Sequence, residues 1–126
     1  MEEASNKNKI REFTDLFAWQ KGHALIIYIY TLTKRFPENE RFGLTSQIQR
    51  AAVSVTSNIA EGFGRKNGKE KAQFYRISHG SLTEVKSLSL VLRDIKLISS
   101  EEYTELAKHI SETQALLLGL IKATTA

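Results

Sequence analysis

Few side chains in this chain are of the types that do chemistry, and their spacing argues against most reactions. Its three histidines, His23, His79 and His109, fall in widely separated segments. A metal centre in a helical bundle draws carboxylates and imidazoles from facing helices, commonly as Glu-x-x-His. Only Glu105 and His109 approach that pattern, and no second pair exists, so no metal or other cofactor is expected. His23 falls among apolar residues at helical spacing, the setting of a structural histidine with one hydrogen bond. Glu61 is the acid of most interest, because Asn58 and Arg65 lie about one helical turn to either side. A carboxylate among polar neighbours can serve as a general base. Glu61 nevertheless has no Ser, Cys or metal-ligand partner in a recognisable arrangement. The plainer reading is a paired strut, since an unpaired buried charge is costly. Ser54, Ser57 and Asn58 likewise lack a His–Asp relay. With no cysteine, thiolate catalysis, disulfides and Cys-ligated zinc are all removed. The chain is expected not to be an enzyme.

The other chemistry-bearing stretch is residues 62–69, GFGRKNGK, which invites a phosphate-loop reading. It lacks the GxxxxGK[ST] pattern and follows no strand, so a nucleotide loop is not expected. It offers instead a glycine-rich helix end carrying Arg65, Lys66, Lys69 and, just beyond, Lys71. Clustered cations beside free backbone N–H groups hold phosphate oxygens. Arg50 is a further candidate, about four turns earlier on the same segment. One such cluster binds weakly, whereas several copies on an oligomer add. Charge placement agrees: residues 41–76 hold seven basic and two acidic side chains, and residues 99–126 two basic and four acidic. The middle of the chain therefore suits a polyanion, although ordinary scatter of surface charge gives the same imbalance.

These groups need a scaffold, and the hydrophobic periodicity supplies one. Residues 44–65 read as one helix with two stripes. Ile48, Ala52, Val55 and Ile59 recur at steps of three and four, an apolar face at helical period. Gln47, Ala51, Ser54, Asn58 and Glu61 recur at the same steps about 100° round the cylinder. That second row is expected to face inward, with its polar groups paired. In a helix over 16–36, Leu16, Trp19, His23, Ile26, Tyr30 and Thr33 make a seam like that of a coiled coil. Leu25, Ile29, Leu32 and Phe36 make a second apolar face. The run LIIYIY at 25–30 is strand-like in composition, but the helical period continues on both sides without a breaker. Thr14 or Asp15 offers the N-cap, and Pro37 stops the helix.

Asn67 with Glu70 opens a helix over 68–98, and glycines supply the C-cap geometry of the helix before it. Gly80 sits inside that third helix, where glycine costs ~1 kcal/mol relative to Ala. Another backbone, at Ala51 or Ala52, is expected to approach it closely. Ser99 with Glu102 is a full capping box opening a helix over 100–123, whose seam is Tyr103, Leu106, Ile110, Thr113, Leu117 and Leu120. Four helices with short connections make an all-α, up-down-up-down bundle over residues 14–126. Residues 1–13 are expected to form a flexible arm, with Phe13 as its anchor. The double face of the first helix and LLLGLI at 116–121 are more apolar surface than one bundle hides, so copies are expected to share it. Composition is that of an ordinary globular domain, at 41% hydrophobic and 25% charged residues. No apolar run reaches the ~18 residues of a membrane span, and the polar N-terminus is unlike a signal peptide. A soluble cytoplasmic protein is expected.

The segments FTDLFAWQKGHAL, YTLTKRFPENERFGLTSQIQRAAVSVTSNIAEGFGR and FYRISHGSLTEVKSL resemble proteins encoded by intervening sequences in bacterial 23S ribosomal RNA genes. The likeness spans residues 13–122. Its most specific parts are WQK at 19–21, FPENERFGLTSQIQRA at 36–51 and SNIAEGFGR at 57–65. Thr56 departs from the family pattern, which often has Pro there, and should make its helix more continuous. The resemblance implies a left-handed four-helix bundle assembling as a ring-like homopentamer, with no catalytic residues to carry over. A similar protein, the accessory variability protein of diversity-generating retroelements, is pentameric, binds nucleic acid and works with a reverse transcriptase. The resemblance makes Gln47, Arg50, Ser54, Asn58, Glu61 and Arg65 determinants of fold and assembly, with Arg50 and Arg65 touching phosphate. RNA or DNA is thus the expected partner besides further copies of the chain. The alternative is a scaffold that docks a protein such as a reverse transcriptase and touches no nucleic acid.

Overall fold

The computed structural model describes residues 9–125, so most of the expected N-terminal arm lies outside the described residues. Four α-helices carry the fold: α1 (Phe17–Thr33), α2 (Ser46–Phe63), α3 (Gly68–Asp94) and α4 (Ser100–Thr125), with no strand among the described residues. Each helix packs on the one before it, and α4 closes back onto α1. Partner residues on neighbouring helices run in opposite numerical order. On α2 and α3, Ser54 meets Ser81 and the Phe63 carbonyl meets Lys71. On α1 and α4, Lys21 meets Glu112 and Arg35 meets Glu102.

The core is what the spacing dictates. Ile48, Ala52, Val55 and Ile59 are buried on α2, as are Leu106, Ile110, Thr113 and Leu117 on α4. The serine and threonine hydroxyls of the buried residues are paired, whereas Thr45 Oγ1, before α2, is buried without a partner among the described residues. Thr33 and Thr113 each donate to the carbonyl four residues earlier, and Ser78 of α3 donates to Val55 O of α2 at 2.7 Å. On α1 the buried face is Leu25, Ile29 and Leu32, with Ala18 and Gly22. The row expected to be the seam is its flank: Trp19 and Ile26 are half-buried, while His23 and Tyr30 are exposed. Phe13 does lie edge-on to the Trp19 ring, at 5.6 Å.

Three glycines mark the three successive helix crossings. A Cβ on Gly22 of α1 would stand 2.9 Å from Thr56 Cγ2 of α2. On Gly62 of α2 it would stand 2.8 Å from the Tyr75 ring of α3, and on Gly68 of α3, 2.6 Å from Thr124 O of α4. Gly80 corrects an expectation, for nothing lies within 4 Å of where its Cβ would be, and Gly119 is equally open. The Ala51–Ala52 backbone does not approach Gly80, because Gly80 lies on the outward face of α3 rather than toward α2.

The helix ends also depart from expectation. Helix α1 starts after Leu16, in extended backbone with no side-chain cap; Asp15 instead accepts from Arg11 N and Glu12 N. Those two N–H groups hold the Asp15 carboxyl below its usual range. Helix α2 runs unbroken through Thr56. Its C-cap residue is a glycine, Gly64, but it stays right-handed, and no described glycine has positive φ, so the left-handed glycine cap is absent. Helix α3 stops at Asp94, four residues short of the expected end. Lys96 takes the left-handed conformation at φ 65°. Lys96 N donates to Arg93 O and Leu97 N to Leu92 O, the paired bonds of a Schellman turn. A lysine fills the place glycine usually takes, so neither Gly nor Pro marks this stop in the sequence.

The Ser99–Glu102 capping box forms in both directions: Ser99 N donates to Glu102 Oε1 at 2.8 Å and Glu102 N to Ser99 Oγ at 3.1 Å. The Ser99 N–H, and then Arg35, hold the Glu102 carboxyl below its ordinary value of 4.5. A carboxylate with a depressed folded-state pKa stabilises the fold above its unfolded pKa and loses that contribution as pH falls through the folded one. Glu102→Gln keeps the capping-box geometry but removes the charge, and is therefore expected to cost about 0.5 kcal/mol at neutral pH. The gap to the unaltered protein should close as the pH is lowered below 4.5. Urea unfolding at neutral and acid pH checks this; an equal gap at both would remove the ionised carboxylate from the account.

Candidate nucleic-acid interface

The expected phosphate-binding cluster sits where α2 ends and α3 begins. Arg65 N donates to Gly62 O to finish α2, and Asn67, in extended backbone, caps α3 by accepting from Glu70 N at 2.9 Å. This one reversal of the chain brings Arg65, Lys66, Lys69 and Lys71 together. They are not equivalent. Lys71 Nζ donates to Phe63 O at 2.6 Å and lies 5.0 Å from the Phe63 ring centroid, so it caps the carbonyl end of α2. Arg65 reaches back to Glu61 Oε2 at 2.8 Å and lies over the Phe74 ring at 4.5 Å, with Nε buried and without a hydrogen-bond partner. Lys66 and Lys69 are exposed and make no ion pair among the described residues. Two of the four cations are thus free for a ligand, and two are engaged in holding the turn.

Arg50 is exposed but belongs elsewhere, about 20 Å along α2 from Arg65. Arg76 was not singled out by the sequence, yet it is exposed two turns beyond Lys69 on the same face of α3. The i, i+7 spacing carried that signal. The polar row on α2 divides. Ser54 and Asn58 face α3: Ser54 Oγ lies 2.8 Å from Ser81 Oγ, and Asn58 Nδ2 donates to Ser54 Oγ at 3.0 Å. Gln47 and Glu61 are exposed, which corrects the inward placement. The row zigzags, so Glu61 lies about 80° round the helix from Ala51, which is the member that points inward. Glu61 is an open surface partner of Arg65.

The histidines stay apart. His23 stacks on Trp19, His79 lies 3.3 Å from Gln114 Nε2, and His109 stacks on Tyr28 with Glu105 Oε2 at 3.3 Å from its Nε2. Among the described residues no three metal-ligating side chains converge, and no helix is long and apolar enough to cross a membrane.

A four-helix chain whose helices share one core and whose α2–α3 turn is basic defines a class of small helical bundles. The chain belongs to the 23S rRNA-intervening sequence protein family, whose model matches residues 14–119. Among solved structures it is similar to a protein of unknown function from the S23 ribosomal protein family of Bacteroides thetaiotaomicron VPI-5482. The TM-score is 0.77 at 22% identity, over 83% of this chain and 95% of that one, a likeness of fold. No curated protein matches the chain.

Proposed function

We propose that this is a non-catalytic cytoplasmic protein whose left-handed, up-down-up-down bundles assemble into a ring-like homopentamer and bind RNA or DNA through backbone phosphates. The observation that carries the nucleic-acid part is the pair Lys66 and Lys69, exposed beside a turn that Arg65 and Lys71 hold in place. Arg50 and Arg76 add charge along the outer faces of α2 and α3. Support for assembly comes from the open glycines and from outward side chains such as Ile27, Ile77 and Leu118. A rim of Lys and Arg reads phosphates and not bases, so specificity rests on shape or on a protein partner. A second reading, a scaffold that docks a protein such as a reverse transcriptase, is favoured by Phe42, which is 89% exposed in the α1–α2 connection.

The test is affinity for single- and double-stranded oligonucleotides as a function of salt. With four phosphates contacted, binding to a duplex should weaken roughly 600-fold between about 50 mM and about 300 mM salt. Lys66→Gln with Lys69→Gln should flatten that slope without changing the oligomer. Binding absent at low salt, or equal at both, would leave only the scaffold reading; a partner captured equally well after nuclease treatment would support it.

A further inference from the structure

The opposite pole of the bundle carries a second set of cations. The α1–α2 connection and the α3–α4 turn share this pole, because Arg35 reaches both Leu97 O and Glu102. An open cleft of about 880 Å³ lies here. Arg35 enters it from the end of α1, Arg93 from the last turn of α3, and Lys96 from the left-handed position of the Schellman turn. Ser99 and Ser100 line the same cleft, and among the described residues Glu102 is its one lining carboxylate.

Each charge has a defined state. Glu102 is committed, holding Arg35 Nη2 at 2.5 Å and Ser99 N at 2.8 Å. Arg93 bonds Asp94 through Nε at 2.8 Å and lies over the Tyr103 ring at 4.9 Å, and its terminal nitrogens make no ion pair among the described residues. Lys96 makes no ion pair among the described residues. Three cations from three elements thus face one cleft against a carboxylate already held by the backbone. The conformation of Lys96 is the second observation. Glycine adopts the left-handed state without cost, whereas a lysine there is held against its preference. The turn itself does not require an ammonium group.

We propose that this cleft binds a phosphate group of high charge density, a pyrophosphate or the terminal phosphate of an oligonucleotide, with Lys96 and Arg93 as its direct ligands and Arg35 as the oriented third cation. Arginine presents paired N–H donors to phosphate oxygens, and lysine adds a point charge. The site is separate from Lys66 and Lys69 and does not depend on the function proposed for them.

Lys96→Gly tests this without endangering the fold, since it removes the charge while suiting the backbone. Calorimetric titration of the unaltered protein with pyrophosphate should show saturable binding in the micromolar to low millimolar range. Lys96→Gly should raise the Tm yet weaken pyrophosphate binding roughly tenfold, the loss expected for one charge-assisted contact. Arg93→Gln should weaken it similarly, and Lys66→Gln with Lys69→Gln should leave it unchanged. Oligonucleotides identical except for a 5′-phosphate or 5′-hydroxyl separate the sources: a preference for the phosphorylated strand that Lys96→Gly abolishes identifies a nucleic-acid end. Pyrophosphate binding without that preference identifies a free ligand. No saturable binding of either probe, or unchanged binding by Lys96→Gly, overturns the proposal.

Discussion

Gly62→Ala is expected to lower folding stability by about 2 kcal/mol, although alanine is the better helix former by ~1 kcal/mol. The added methyl carbon would stand 2.8 Å and 3.0 Å from two carbons of the Tyr75 ring and 3.0 Å from Phe74 Cβ. Tyr75 is 2% exposed and among the largest fully buried side chains, so its ring has no space to yield into. Relief must come from separating α2 and α3, whose approach also carries the Ser78–Val55 hydrogen bond. Urea unfolding reads the loss directly. A variant as stable as the original protein would mean that the two helices are not held this closely in solution.

Gly80 should give the opposite sign for stability and a large effect on assembly. Its Cβ would meet nothing, so Gly80→Ala is expected to stabilise a single chain by about 1 kcal/mol. The cost of glycine inside a 27-residue helix therefore has no explanation within one chain. Ile77 and Val91 stand exposed on the same helix, with Ile95 just past its end. If neighbouring copies cover this face, Gly80→Arg should reduce the mass seen by light scattering to the 14.2 kDa of one chain, with the helical circular dichroism intact. An unchanged oligomer in Gly80→Arg would exclude this face from the assembly.

The repeating apolar positions made the bundle legible because a helix has only one way to bury Ile48, Ala52, Val55 and Ile59 together. Capping boxes were legible for the same kind of reason: Ser99 and Glu102 satisfy each other's backbone at a fixed three-residue spacing. Less could be read where a residue type has two uses. Glycine serves φ, closeness or an outer contact, and Gly62, Gly64 and Gly80 look alike until neighbours are placed. Glu61 and Ser54 share a periodic row and lie only about 20° apart round α2, yet the short Ser54 hydroxyl rests against Ser81 of α3 while the longer Glu61 side chain stands outside, paired with Arg65. The cation cluster shows the same limit, since Lys71 and Lys66 are indistinguishable in sequence but only Lys71 lies within reach of a helix-end carbonyl.

The packing of each helix on its chain neighbour has a kinetic consequence. The α2–α3 pair is joined by four residues and can form early, since closing a short loop costs little entropy. Bringing α4 back to α1 spans most of the chain, and the seam joins shared core residues such as Leu25, Ile29, Leu106 and Ile110 with surface pairs such as Lys21–Glu112. That seam should zip last during folding.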